Sequence, residues 1–193
     1  MTLRLRPGSK KVAYYSIGLC IFYWLFLRTK RYTQTIEFSV EGADPKTVWE
    51  FWADFSNWQK LNPNVLDFEV QHEKGNYENW EYSVKYEEAM NLIPRARVHI
   101  WAVYRVIPEQ RHGHFSQPFR ITSQHKTCIM FFCFNTDAEM IFVNNNKSKK
   151  STKVIETVDI ECIPLLSSFC KKEFNAQRKE ILENVEQIDF SSI

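Results

Sequence analysis

The chain has 193 residues, 44% hydrophobic and 15% aromatic, which suits one cored domain and excludes a disordered tail. Its 25 Lys and Arg against 23 Asp and Glu leave a formal charge of +2, too little for a nucleic-acid footprint, so no nucleic-acid partner is expected. The five cysteines, Cys20, Cys128, Cys133, Cys162 and Cys170, form no CxxC pair and no zinc spacing. They read as small buried hydrophobes, and no metal is expected.

The first element is residues 12–27, VAYYSIGLCIFYWLFL, which carry no charge. Eight of these residues are Val, Ile, Leu or Phe, which favours insertion into a bilayer by roughly 3–4 kcal/mol. At 1.5 Å per residue the segment spans about 24 Å, short of a ~30 Å hydrocarbon core. Flanking Lys and Arg can snorkel, and a thin membrane such as the endoplasmic reticulum reduces the mismatch. The expectation is a single-pass anchor in the endoplasmic reticulum or another endomembrane. A cleaved signal peptide and a buried or interfacial helix are the alternatives. Arg4, Arg6, Lys10 and Lys11 precede the segment and Arg28, Lys30 and Arg31 follow it, a margin of one that leaves the side of the domain open. The chain thus divides into a basic flank (1–11), an anchor (12–27), a basic linker (28–32) and a folded domain (33–190).

Within that domain Ile36, Phe38 and Val40 alternate with polar residues as in a half-buried strand. Asp44 and Pro45 open a helix as N-cap and first residue, and Val48, Trp52 and Phe55 follow at helical spacing. Asp54 to Asn57 breaks this helix, and a short second helix ends before Asn62-Pro63. Strands are predicted around Leu66–Val70, Trp80–Glu87 and Ala96–Val106. Further strands follow at Phe115–Thr122, weakened by Pro118, then at Thr127–Phe134, Ala138–Val143 and Thr152–Ile163. His112-Gly113-His114 reads as a solvated turn. The tract Asn144–Thr152 reads as an exposed loop that carries Lys147, Lys149, Lys150 and the sequon Asn146-Lys147-Ser148. After Pro164 a long amphipathic helix, about Leu165–Ile188, presents Leu166, Cys170, Phe174, Gln177, Ile181, Val185 and Ile188 on one face, with Arg178 among the charges assigned elsewhere.

The order of a strand, two short helices, a series of antiparallel strands and a long C-terminal helix resembles the START-like superfamily, in particular its polyketide cyclase/dehydrase and lipid-transport group. The segment Ala43–Val70 carries the likeness through Pro45, Val48-Trp49, Asp54, Trp58 and Pro63. The resemblance implies an α+β helix-grip fold: a curved antiparallel sheet of about seven strands around the C-terminal helix, with an apolar cavity between them. Trp80, Tyr82, Tyr86, Ile100, Tyr104, Glu156, Val158, Phe174 and Ile181 are the candidate cavity residues.

Glu156 shares a strand face with Val154, Val158 and Ile160, so its carboxylate would enter the cavity and need a partner, a bound water or a raised pKa; the alternative is a strand-end position open to water or a one-residue bulge that turns it outward. Arg97, His99 and Arg105 are considered as partners, although alternation puts them on the opposite face. Asp54 is expected to cap the next helix. No nucleophile motif or phosphate loop is present, and no cofactor is expected. The leading expectation is a monomeric, membrane-anchored protein that binds or transfers a lipid, sterol or isoprenoid. A cyclase/dehydrase-like enzyme using Glu156 or Asp54 as acid/base is one alternative, and a scaffold whose core fills itself is another.

Overall fold

The computed structural model describes residues 7–76, 79–112, 115–129, 132–145 and 150–190. The sequon Asn146, together with Lys147, Lys149, Gly113 and His114, lies outside these residues. Helix α1 (Pro7–Phe22) runs into a π-helical turn at Tyr23–Leu27, whose end is marked by the Arg28 N–H donating to the Tyr23 carbonyl at 2.9 Å. No helix among the described residues is long and apolar enough to cross a membrane; α1 itself has 16 residues. The side chains from Lys11 to Phe26 lie exposed, and the Tyr23–Leu27 turn sits beside Pro164–Leu166.

Seven strands form one antiparallel sheet: β1 (Lys30–Glu41), β2 (Val65–Asn76), β3 (Asn79–Ala89), β4 (Arg97–Ile107), β7 (Phe119–Ile129), β8 (Phe132–Asn144) and β9 (Ser151–Cys162). Their spatial order is β1-β9-β8-β7-β4-β3-β2, so the first and last strands in sequence pair. A separate ribbon joins β5 (Gln110–His112) and β6 (Phe115–Gln117). Two register shifts in β2, at Val65/Asp67 and Val70/His72, bend that strand as bulges do.

The two short helices α2 (Pro45–Ala53) and α3 (Trp58–Leu61) flank a 3-10 turn at Phe55–Asn57 and cross one face of the sheet. Asp44 Oδ1 accepts the Thr47 N–H at 3.0 Å, which satisfies an orphan donor at the start of α2, and Pro45 occupies the first turn, where no donor is missed. Asp54 Oδ1 accepts the Ser56 N–H at 2.9 Å and caps the 3-10 turn. Helix α4 (Ser167–Val185) follows a 3-10 turn at Pro164–Leu166 and covers the same face.

Trp52, 1% exposed, sits at the centre of the core on this face, against the rings of Phe38, Phe51, Phe142 and Phe190. A second aromatic group forms around Phe55, which meets Trp58, Phe68, Tyr86 and Tyr104.

Three expectations need correction. Cys128 bonds Cys133 and Cys162 bonds Cys170, so four of the cysteines are paired, and Cys20 is free and exposed. Thr127–Phe134 is not one strand: the register Ile129↔Phe132 divides it between the end of β7 and the start of β8, with Cys128 opposite Cys133. Phe115–Thr122 splits at Pro118, and its second half begins β7, the middle strand of the sheet. Proline removes a ladder donor, so the strand starts after it.

Candidate functional site

The concave face of the sheet and the underside of α4 enclose a cavity of about 230 Å³. Its wall is mostly apolar: Trp52, Phe55 and Trp58 from the helices, Tyr86, Ile100, Tyr104, Ile121, Met140 and Val158 from the strands, and Leu166, Phe169 and Phe174 from α4 and the turn before it. The strand residues reach it because inward positions recur every second residue.

Of the candidate cavity residues, Tyr86, Ile100, Tyr104, Glu156, Val158 and Phe174 stand on this wall. Trp80, Tyr82 and Ile181 do not. Trp80 Nε1 donates to Glu73 Oε1 at 2.8 Å and the side chain lines a separate groove with Asp54. The Tyr82 hydroxyl donates to the Ala53 carbonyl at 2.8 Å within the packed core. Ile181 is buried in the core one turn beyond the cavity end of α4.

Glu156 is 2% exposed and points inward between its cross-strand neighbours Ile36 and Met140. Its partner is Arg178 of α4, whose guanidinium Nη2 donates to Glu156 Oε1 at 2.6 Å. The residues considered from the sequence are on the outer face, where Arg97 pairs with Glu87 at 3.1 Å and Arg105 with Glu81 at 2.7 Å. Burial pushes the Glu156 carboxyl above its usual range, and the charge and hydrogen bond of Arg178 oppose that shift.

A second buried carboxyl, Glu88, lies at the end of β3. Asn62 Nδ2 donates to its Oε1 at 2.8 Å, and Gln177 Nε2 donates to the same oxygen. Burial raises this carboxyl too, against the effect of those two donors and Arg178. The sequence held the signal for Glu88: the inward series Trp80, Tyr82, Val84, Tyr86 reaches it at the next step of two.

Between these carboxyls a third polar group spans β3 and β7. His125 Nδ1 shares a hydrogen bond with the Tyr86 hydroxyl at 3.1 Å, and its Nε2 shares one with Ser123 Oγ at 2.9 Å. Desolvation, with the nearby Arg178 charge, lowers the imidazole pKa to about 4, so the ring is neutral near pH 7. Burial likewise drives the Tyr86 and Tyr104 hydroxyls well above their ordinary value. The arrangement is an apolar chamber with a few fixed polar groups, the usual make-up of a small-molecule pocket.

Arg178 was missed because a charge on an amphipathic helix ordinarily faces water. It stands one turn from Phe174, and its guanidinium lies 5.0 Å over that ring. Asp54, offered as an acid–base alternative, lies outside this cavity and is a turn cap.

No protein-family model and no curated protein sequence matches the chain. Solved structures do match its shape. A START superfamily protein from Mycobacterium smegmatis is 12% identical, with a TM-score of 0.50 over 81% of this chain and 94% of that one. The Mll3558 protein from Rhizobium loti is 14% identical, with a TM-score of 0.52 over 82% and 96%. The di-domain ARO/CYC StfQ from the steffimycin biosynthetic pathway is 6% identical, with a TM-score of 0.55 over 95% of this chain and 60% of that one. The chain therefore has the START-like, helix-grip fold: a curved seven-stranded antiparallel sheet closed by a C-terminal helix.

Proposed function

We propose that this protein binds a small hydrophobic ligand at a membrane, as a carrier or sensor. The observation that carries the reading is the cavity under α4, whose apolar wall is interrupted by the Glu156–Arg178 pair and the His125 cluster. A volume of about 230 Å³ lies below the ~300–1,000 Å³ of common ligand pockets, so in this conformation it admits a short acyl or isoprenoid piece and not a whole sterol or diacyl lipid. A wholly self-filled core would leave no such volume. Glu156 is engaged by Arg178, so acid–base catalysis has less support than binding.

The membrane part of the proposal rests on the uncharged segment 12–27 and its exposed side chains. The Tyr23–Leu27 turn lies beside Pro164–Leu166, and Leu166 lines the cavity, so a bilayer holding the segment would lie near the α4 end of the chamber. The two disulfides favour an oxidising compartment for the domain.

The test is mass spectrometry of the full chain purified in mild detergent, before and after extraction with organic solvent. A stoichiometric apolar small molecule that exchanges with added ligand is expected. Absence of any co-purifying or exchangeable molecule would count against the reading. Protease protection in sealed microsomes tests the compartment: a protected domain is expected, and digestion from the cytosolic side would reverse the assignment.

A further inference from the structure

Four carboxyls stand on the cavity wall, Glu88, Glu156, Glu161 and Glu173, and among the described residues Arg178 is the one cation facing them. Two of the four are engaged at both oxygens. Glu173 accepts from the Asn91 and Leu92 N–H groups, and Glu161 accepts from Thr29 and Asn135. Glu156 and Glu88 are engaged at one oxygen only. Arg178 donates to Glu156 Oε1, while Asn62 and Gln177 both donate to Glu88 Oε1. The Oε2 of each is left without a hydrogen-bond partner.

These two oxygens are also open. The buried side-chain atoms that lack both a partner and any open surface, among the described residues, are nitrogens of Trp52, Trp58, Arg120 and Arg178; no carboxyl oxygen is one of them. Glu156 is 2% exposed and Glu88 5%, so the little surface each keeps includes its Oε2, on a wall that both residues line. The chamber thus holds two nearly buried carboxyls, each with a free acceptor.

Charge separates the two. Arg178 closes on Glu156 at 2.6 Å and balances it. Glu88 is held only by two neutral amides, so in its ionised form it has no ion-pair partner of its own. A buried carboxylate in that position is costly unless a cation with N–H donors comes to it. The wall already seats one cation on an aromatic ring: the Arg178 guanidinium lies 5.0 Å over Phe174. Tyr86 and Tyr104 add further rings to the wall, and aromatic faces attract positive charge. A ligand carboxylate would meet four carboxyls, and a plain hydroxyl would bring a donor without the missing charge.

We propose that the chamber recognises a primary amine with an apolar body, whose ammonium group donates to Glu88 Oε2. This inference rests on the apolar-ligand reading above and names the chemical class that reading leaves open. The volume corresponds to about eight waters at ~30 Å³ each, which sets the enclosed part of the ligand at roughly ten non-hydrogen atoms.

The experiment is titration calorimetry of the full chain in detergent at pH 7.5, with octylamine, 1-octanol and octanoate as probes of matched length. Each titration is corrected by the same probe added to detergent alone. Octylamine is expected to bind at least tenfold tighter than 1-octanol and than octanoate. Glu88→Gln keeps the shape of the side chain and removes its charge; it is expected to cut octylamine affinity at least fivefold while 1-octanol affinity stays unchanged. If 1-octanol or octanoate binds the parent as tightly as octylamine, the amine inference is overturned and the apolar-ligand reading stands. An undiminished octylamine preference in Glu88→Gln, with the parental melting temperature, overturns the assignment to Glu88. If none of the three probes binds, the inference and the underlying reading both fail.

Discussion

Replacing Arg178 with Met tests whether the chamber is held by its buried ion pair. The substitution keeps most of the side-chain length and removes the cation 2.6 Å from Glu156, which is itself 2% exposed. Breaking a buried pair from one side costs about 3–5 kcal/mol, because the remaining charge loses its compensation. The carboxyl can escape part of that cost by taking a proton. Its pKa is already raised by burial, and losing Arg178 removes the influence that lowers it. The variant's deficit should therefore shrink as pH falls wherever the carboxyl is protonated in the variant and still ionised in the parent, by at most about 1.4 kcal/mol per pH unit. Urea unfolding of the full chain in detergent, followed by tryptophan fluorescence at pH 5.5, 6.5 and 7.5, reads this directly. Other titrating groups contribute nearly alike to parent and variant, so the difference isolates Glu156. Adding Glu156→Gln should return stability to within about 1 kcal/mol of the parent, because a neutral pair leaves no buried charge. A deficit below about 1 kcal/mol at pH 7.5, a deficit flat with pH, or a double variant no better than Arg178→Met would refute the reasoning.

His125 should make the fold acid-sensitive. Its pKa is depressed to about 4, so its contribution is fully present above pH 6.5 and is lost as pH falls through 4, about 3 kcal/mol over the full range. Glu88 and Glu156, raised by burial, act with the opposite sign: their contributions are present at low pH and lost as pH rises through their folded values. His125→Asn should flatten or invert the melting profile between pH 6.5 and 4, and an unaltered profile would remove His125 as its source. Trp52→Ala should cost about 3–5 kcal/mol in urea unfolding, since the ring is 1% exposed and ringed by four phenylalanines; a loss under 1 kcal/mol would mean that its site is not packed in this way. Cys162→Ser with Cys170→Ser should lower stability by about 2–3 kcal/mol for a loop of this length, with one fewer disulfide by thiol alkylation and intact mass; unchanged alkylation would show that the pair is not bonded. Asp44→Ala should cost about 1 kcal/mol through the lost N-cap of α2, and a change near zero would show the cap to be idle.

The parts legible in the sequence are those written by local rules. Asp44-Pro45 marks the start of α2, and the alternation through Trp80–Tyr86 marks β3, because capping and period-two burial need only a few neighbouring residues. The break between β7 and β8 was not legible. β7 ends at Ile129 and β8 begins at Phe132, the sequence there offers no Gly, Pro, Asn or Asp to announce a boundary, and the whole stretch reads as apolar strand. The disulfides were missed for a related reason: separations of 5 and 8 residues match no familiar motif, and only the hairpin register and the junction of β9 with α4 bring the partners together. At the site, Glu156 was legible from strand alternation, but Arg178 was not. Its partner is 22 residues away, and helical periodicity assigns a lone cation to solvent. His125 and Glu88 follow the same inward alternation as their neighbours and are recoverable once the register of β3 and β7 is fixed.

The two irregularities that bend β2 have an effect outside the cavity. β2 forms one rim of the sheet, with no further strand beyond it among the described residues. A long straight strand in that place would be a template on which another chain could extend the sheet. Here the ladder is interrupted at Val65/Asp67 and Val70/His72, and Asp67, Glu69, Glu73 and Lys74 place charge along it. The kinks that help the sheet wrap its helix thus also guard against strand-to-strand aggregation.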